Sequence, residues 1–359
     1  MAVALASFGL ASGCSDREGE ADVGVGPDEG DDRPDGGDAG TNDGDPGHGD
    51  GAPDLGSPVE VPLGVPTTFR LDLPRGARTF DVFVSSQGLQ AKPPLLVVFH
   101  GGNRSRADVL SDVTGLGGFR DVAESERVLL IAPNGSNADG EGDAPQANWN
   151  DCRQSVAAAT NNADDGALFD ALVAWAARHF DIDEQRVFIA GPSNGGLMTY
   201  RLALERGARI AGAAAFIANM TAEPEQCVFS DARVPMLIMN GTSDRLMAFE
   251  GGALTQGSGG NVMSSDATAA FWAERNGTLL AQAAVDYPDI NLRDGSTASR
   301  VDYLEEAGGI GVRYVVVTGG GHTIPSVRYR TPGALLLGGQ NRDIEGAAEA
   351  WAFFSQVAP

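Results

Sequence analysis

The chain has 359 residues, enough for one large domain or two small ones, and 42% of them are hydrophobic. Its formal net charge of −24 argues against nucleic acid and anionic membranes as partners, because both are bound through basic patches. No apolar run reaches the roughly 18 residues of a membrane-spanning helix.

The first fourteen residues are typical of a lipoprotein signal. Residues 1–10 (MAVALASFGL) are small and apolar, and residues 11–14 (ASGC) resemble a lipobox whose cysteine is lipidated. No Lys or Arg precedes the apolar run, so the alternatives are a start further upstream or an unprocessed apolar tail. We predict that residues 1–14 are a signal segment and that a lipid on Cys14 is the only membrane contact. The expected location is extracellular or at the outer surface of a bacterial cell, with a lipid anchor.

Residues 15–58 are nearly devoid of large apolar side chains and rich in Asp, Glu, Gly and Pro. Such a segment cannot bury enough apolar surface to offset its ordering entropy, so we predict a disordered acidic tether. A calcium-binding run is the alternative, but the acidic residues lack a regular D-x-D-x-D-G spacing.

Three cysteines are present, and a lipidated Cys14 would leave Cys152 and Cys227 as a pair. In an exported domain two remaining cysteines are expected to be bridged, so we predict a Cys152–Cys227 disulfide. Neither cysteine has a CxxC or histidine neighbour at ligand spacing, so no metal site is predicted.

Residues 59–359 are predicted to form one domain in which strands and helices alternate. The predicted strands are 67–73, 79–85, 94–99, 127–132, 186–190, 210–217, 234–240 and 313–318, and the predicted helices are 164–180, 196–204, 267–276 and 344–354. This alternation predicts an α/β fold, with a mostly parallel central sheet and helices on both faces. Ligand sites of such sheets lie at the carboxyl ends of the strands.

Residues 191–195 (GPSNG) lie between a predicted strand and a predicted helix. A G-x-S-x-G sequence in this position is typical of a nucleophile elbow, a strained turn that exposes a serine hydroxyl. The alternative is an ordinary glycine-rich turn. We take Ser193 as the candidate nucleophile.

A serine nucleophile needs a base, and the chain has only four histidines. His48 lies in the predicted tether, and His179 ends a helix, where a cation has a structural explanation. His100 begins an HGG loop that suits backbone donors better than a base. His322 follows the last predicted strand on a glycine-rich loop and is therefore the candidate base, with a structural role as the alternative.

Asp244 follows a predicted buried strand and lies between Ser193 and His322 in the sequence, which is the α/β-hydrolase order of a catalytic triad. A turn or capping role is the alternative for Asp244. Asp286 and Asp289 fall in the same interval but flank a Tyr-Pro pair and are interpreted as turn residues.

The tetrahedral intermediate of acyl transfer needs N–H donors aimed at its oxyanion. In this fold they come from the residue after the nucleophile and from the loop after an early strand. We therefore predict the backbone amides of Asn194 and Gly102 as the donors.

The combined motifs resemble the secreted esterases grouped as polyhydroxybutyrate depolymerases and bacterial feruloyl or acetylxylan esterases. The motifs are HGG (100–102), APNG (132–135), NWNDC (148–152), GPSNGG (191–196), NGTSD (240–244), GGGHTIP (319–325) and AWAFF (350–354). The resemblance spans about residue 93 to the end of the chain. It implies an α/β-hydrolase fold, a triad of Ser193, Asp244 and His322, and a two-cysteine bridge.

Two positions depart from the family pattern. Asn240 replaces the histidine of the family's H-G-T-x-D motif, and Ile324 replaces a tryptophan that follows the catalytic histidine. We expect Ile324 and Trp149 to contact the substrate, with Trp149 as a substitute aromatic wall. Simple packing is the alternative for Trp149.

The predicted function is that of a serine esterase without metal or organic cofactor. The expected partner is an ester substrate, either a polyhydroxybutyrate-type polyester or an acylated plant polysaccharide. The alternatives are a peptidase or acyltransferase on the same fold, or a catalytically inactive, polymer-binding surface lipoprotein.

Overall fold

The structure is a computed structural model that describes residues 59–112, 115–153, 159, 162–254, 259–278 and 280–358. The predicted signal segment with Cys14 and the predicted tether at 15–58 lie outside the described residues. The motifs that carry the predicted site all lie inside the described residues.

The strands of the described part are β1 Thr67–Leu73, β2 Gly76–Phe83, β3 Leu95–Val98, β4 Leu129–Pro133, β5 Val187–Pro192, β6 Gly212–Phe216, β7 Met236–Gly241, β8 Gly252–Ala253, β9 Asn261–Val262, β10 Leu280–Ala281, β11 Val285–Asp286, β12 Thr297–Leu304 and β13 Ile310–Thr318. Eleven of them form one sheet in the order β1-β2-β4-β3-β5-β6-β7-β13-β12-β10, with β11 also on β12. The strands from β4 to β13 in that order are parallel, and those flanking them are antiparallel.

The helices of the described part are α1 Arg106–Val109, α2 Gly117–Glu126, α3 Asp165–Phe180, α4 Asn194–Glu205, α5 Ser265–Asn276 and α6 Gly346–Val357. Side chains of successive strand residues point to opposite faces of the sheet, and two separate apolar cores result. One core joins β3 residues Leu95 and Val97 to α3, α4 and α5. The other joins Leu96 and Val98 to α2 and α6. Because both faces are covered, the central strands are apolar along most of their length.

This strand order, with helices on both faces, is the α/β-hydrolase fold, and the predicted fold class is confirmed. Each central parallel strand was predicted within about two residues except β13, which begins three residues earlier. Helix α4 begins at Asn194, directly after the candidate nucleophile.

Several elements of the described part were not predicted, and one expectation was wrong. The longest of the unpredicted elements are helix α2 and strand β12, and the others are the short elements α1, β8, β9, β10 and β11. Asp286, expected in a turn, lies in β11 and pairs with Ser299. Among the described residues, no helix combines the length and apolar character needed to cross a membrane.

Cys152 and Cys227 form a disulfide across 75 residues of sequence, as predicted. Cys152 lies in the loop region between β4 and α3, and Cys227 follows a short 3-10 turn after β6. The bond therefore connects two loops that are far apart in the chain.

Candidate active site

Ser193 sits in the sharp turn between β5 and α4. Its backbone angles are φ 54° and ψ −123°, a conformation that residues other than glycine rarely adopt. Its N–H donates to the carbonyl of Phe216 in the neighbouring strand β6, at 2.9 Å. The turn is thus fixed to the sheet, and the serine side chain remains partly exposed.

The glycines on either side of this turn leave no room for a side chain. A Cβ on Gly195 would lie 2.5 Å from the carbonyl oxygen of His100 and 2.6 Å from that of Phe99. A Cβ on Gly191 would lie 2.6 Å from the backbone of Gly195. Real Cβ atoms do not approach backbone this closely, so the elbow requires glycine at both positions.

His322 and Asp244 form a hydrogen-bonded pair at the ends of β13 and β7. His322 Nδ1 donates to Asp244 Oδ2 at 2.7 Å, and their side chains are 10% and 2% exposed. The other oxygen of Asp244 accepts the N–H groups of Leu246 and Met247, both at 2.8 Å. With Nδ1 donating, the neutral imidazole presents Nε2 as an acceptor.

The loop that carries His322 is held by a later segment of the chain. The N–H of His322 donates to Leu337 O at 2.8 Å, and the Thr323 hydroxyl donates to Gly339 O at the same distance. These two bonds hold His322 and Thr323 against residues 337–339.

Ser193 and His322 line the same cleft, which has a volume of about 370 Å³. Gly101, Gly102 and Asn194 also border it. Its remaining lining combines apolar and polar side chains. The apolar ones are Leu116, Pro192, Ile217, Leu246, Met247, Leu254 and Leu337, and the polar ones are Asn103, Arg104, Asp108, Asn148, Arg153 and Thr331. The apolar part of the lining was not predicted from the sequence, although Leu246 and Met247 follow Asp244 closely in the chain.

The two predicted oxyanion donors are neighbours in this cleft. Asn194 is the first residue of α4, so its N–H has no partner within the helix. A Cβ placed on Gly102 would lie 3.4 Å from Asn194 Cβ, which shows how closely the two residues approach. The next amide, that of Asn103, donates to Asn148 Oδ1 at 3.2 Å and is therefore engaged elsewhere.

His100 is completely buried below this loop. Its Nδ1 donates to Gly101 O at 2.7 Å, and its Nε2 accepts the N–H of Gly135 at 2.9 Å. Burial lowers the pKa of His100 to about 4, so the ring is neutral at neutral pH. Both ring nitrogens are used in hydrogen bonds to backbone, which agrees with a structural role.

The expected substrate contacts of Trp149 and Ile324 were wrong. Trp149 is 0% exposed, packs edge-on against Phe99 and donates from its indole N–H to His100 O at 2.8 Å. Ile324 is 4% exposed and belongs to the core between the sheet and helices α2 and α6. Neither lines the cleft, because both side chains turn into the protein.

Asn240, which departs from the family pattern, is also buried. Its side chain accepts the N–H of Ala218 and donates to Ala218 O, Asn219 Oδ1 and Ser265 Oγ. The residue therefore ties the ends of β6 and β7 to the start of α5. Within the described part of the chain, no three His, Cys, Asp or Glu side chains group as ligands for a metal ion.

No protein-family profile matches the chain, and no curated protein matches its sequence. Among solved structures, acetyl xylan esterase from Aspergillus awamori is similar, with 15% identity, a TM-score of 0.49, and coverage of 72% of this chain and 95% of that one. S-formylglutathione hydrolase from Agrobacterium tumefaciens is 18% identical with a TM-score of 0.41, over 55% of this chain and 83% of that one. The S-formylglutathione hydrolase of Staphylococcus aureus is 15% identical with a TM-score of 0.38, over 53% and 82%.

Proposed function

We propose that the protein is a carboxylic-ester hydrolase that works through an acyl-enzyme on Ser193. The observation that carries the proposal is the arrangement of the cleft. A serine in a strained elbow borders the same cavity as a histidine whose Nδ1 is bonded to a buried aspartate. Nucleophile, base and orienting carboxylate are the three parts that acyl transfer by serine requires.

In the acylation step the Ser193 oxygen attacks the ester carbonyl carbon while His322 Nε2 takes the hydroxyl proton. Asp244 keeps the ring in the tautomer that leaves Nε2 free and stabilises the imidazolium. The amides of Asn194 and Gly102 donate to the oxyanion of the tetrahedral intermediate. Collapse breaks the ester C–O bond, and Nε2 returns the proton to the departing alkoxide, which leaves as the alcohol.

Deacylation repeats these steps with water as the nucleophile. His322 takes a proton from water, the hydroxide attacks the acyl carbon, and the carboxylic acid is released as the proton returns to the Ser193 oxygen. No redox change occurs, and each step conserves protons within the cleft.

The lining of the cleft supports a substrate with one apolar and one polar part. The leucine and methionine side chains of the lining suit an acyl chain, whereas Asn103, Arg104 and Asp108 suit a hydroxylated alcohol. We propose an ester of the kind found in a polyhydroxybutyrate-type polyester or an acylated plant polysaccharide, as the sequence motifs imply.

We also propose that the enzyme acts outside the cell. Residues 1–14 would be the export signal, a lipid on Cys14 the anchor, residues 15–58 the tether, and residues 59–359 the catalytic domain. The acidic tether composition and the disulfide support this organisation, because disulfides persist in oxidising compartments.

A fluorophosphonate probe tests the proposed nucleophile. We expect wild type to be labelled and to hydrolyse short nitrophenyl esters, and Ser193→Ala to lose both properties. Ser243→Ala, which removes an exposed hydroxyl beside Asp244, is the matched control and should keep both. Unlabelled wild type, or equal labelling of Ser193→Ala, would contradict the proposal.

A substrate panel then separates the alternatives. Ester turnover without cleavage of the matching anilide argues against a peptidase, and turnover that needs an added alcohol acceptor indicates an acyltransferase. Binding to polymer without any ester turnover indicates an inactive binding protein. Release of products from polyhydroxybutyrate, acylated xylan and small esters, measured side by side, identifies the substrate class.

A further inference from the structure

We infer that Trp149 is a positioning residue that sets the spacing of the two oxyanion donors. The inference deepens the proposed function and rests on it. Trp149 touches both donor segments, although its side chain is fully buried and does not border the cleft. Asn194 contacts its backbone, and the HGG loop contacts its indole.

The backbone of Trp149 is bound by the side-chain amide of Asn194. Its N–H donates to Asn194 Oδ1 at 2.7 Å, and its carbonyl accepts from Asn194 Nδ2 at 3.2 Å. The side chain of Asn194 is therefore held at both ends by one residue. The backbone N–H that would donate to the oxyanion belongs to the same residue, Asn194. This pair of side-chain bonds therefore also fixes the direction of that N–H.

The indole of Trp149 holds the other donor segment. Its Nε1–H donates to the carbonyl of His100 at 2.8 Å, two residues before Gly102. The indole also lies against the His100 ring, with ring centres 4.8 Å apart. One side chain thus links the start of the HGG loop to the segment that binds Asn194.

The segment around Trp149 is itself firmly anchored. Asn150 N–H donates to the buried Asp165 at 2.8 Å. Asp151 accepts two bonds from the guanidinium of Arg153 and a further one from Asn194 Nδ2 at 2.5 Å. The side chains of Asp151 and Arg153 are both buried. Trp149 is therefore a rigid support, and loss of its indole bond should free the HGG loop rather than shift α4.

The expected kinetic effect is selective for the transition state. Removing one oxyanion donor costs about 10²- to 10³-fold in kcat, so a donor that is only misaligned should cost about 10-fold. KM should change little, because a ground-state carbonyl depends less on these amides than the oxyanion does. A purely structural tryptophan would instead lower the amount of folded enzyme at unchanged kcat per active site.

The test compares Trp149→Phe with Trp272→Phe, using nitrophenyl ester turnover per active site titrated with the fluorophosphonate. Trp272 is also 0% exposed, and its indole N–H has no hydrogen-bond partner among the described residues. We expect kcat to fall about 10-fold in Trp149→Phe only, with KM close to wild type and an equal loss of affinity for a boronic-acid transition-state analogue.

A second variant separates the loss of the indole hydrogen bond from a loss of folding. Replacing Trp149 with 3-benzothienylalanine keeps the shape of the ring system but removes the N–H donor, and the same fall in kcat is expected. If wild type is active and both Trp149 variants keep its kcat, the inference is overturned while the esterase proposal stands. If wild type neither turns over esters nor reacts with the probe, both are overturned.

Discussion

His100 directly precedes Gly101 and Gly102, which border the active-site cleft. Because its ring is buried, His100 does not serve as an acid or base in catalysis. Burial lowers its pKa from 6.5 to about 4, and its Nε2 must stay unprotonated to accept the N–H of Gly135. The folded state thus favours the neutral ring, whereas the unfolded chain protonates near pH 6.5. This stabilisation is fully present above pH 6.5 and is lost as pH falls toward 4.

The resulting prediction concerns stability rather than catalysis. When the pH falls from 7 to 5, His100 should lower the free energy of unfolding by about 2 kcal/mol. The reason is that this histidine binds a proton in the unfolded state but not in the folded state. Urea unfolding at both pH values measures this difference. In His100→Gln the difference should shrink by that amount, whatever the variant's absolute stability.

His179→Gln provides the matched control, since it removes another histidine while His100 stays in place. This variant should keep most of the wild-type difference in the free energy of unfolding between pH 7 and pH 5. An unchanged pH dependence in His100→Gln would contradict the proposed role of burial at this residue.

At the scale of elements, the close packing of α4 on the sheet positions the elbow. A Cβ on Gly196 would lie 2.5 Å from Ala218 Cβ and 3.0 Å from Gly191 O. The Tyr200 hydroxyl, one turn further along α4, donates to Ala218 O at 3.0 Å. The helix can approach the end of β6 this closely only because Gly196 has no side chain.

Gly196→Ala should therefore destabilise the protein despite the better helix propensity of alanine. We expect a loss of about 1–3 kcal/mol from overpacking, against a propensity gain of up to about 1 kcal/mol. Ala218→Gly removes the nearest contact, so the double variant should recover part of the loss. A double-mutant cycle by urea unfolding measures this coupling.

Gly166→Ala, in α3, is the control for propensity alone. Its new Cβ would meet the flexible end of Arg206 rather than backbone, so we expect little loss. If the changes in the free energy of unfolding caused by Gly196→Ala and Ala218→Gly simply add, the contact between these two positions does not set the position of the helix.

The elements that the sequence predicted well share one physical property. The central strands β3, β4, β5 and β7 are buried on both faces, so each contains a continuous apolar run that can be recognised locally. Strand β12 is only half-buried and polar in composition, and its pairing with β13 is a tertiary contact. It was missed for that reason.

The residues of the candidate site also differ in how well the sequence predicted them. Ser193, Asp244 and His322 follow predicted strands, and parallel strands bring their carboxyl ends to one edge of the sheet. The positions of Trp149 and Ile324 depend on which way a loop side chain turns, and this is decided by packing with distant residues. Sequence motifs could identify the chemistry but not the wall of the cleft.

At the scale of the whole molecule, the disulfide is the covalent constraint between distant loops. Cys152 and Cys227 are separated by 75 residues, and a crosslink of that span limits the unfolded chain substantially. On the loop-entropy scale it should stabilise the fold by about 4 kcal/mol. The variant Cys152→Ala/Cys227→Ala should show this loss in urea unfolding under oxidising conditions.

Reducing conditions provide the control for this last prediction. With a thiol reductant, wild type should lose about the same 4 kcal/mol and approach the double variant, whose stability should not respond to the reductant. Turnover of the folded double variant should stay close to wild type, because Asp151 is still held by Arg153 and Asn150 by Asp165. A large fall in kcat per active site would mean that the disulfide, rather than these buried polar contacts, holds the Trp149 segment. If the double variant instead keeps both stability and activity, the bond contributes nothing that would favour an oxidising compartment, and the proposal of export loses its support from the folded domain.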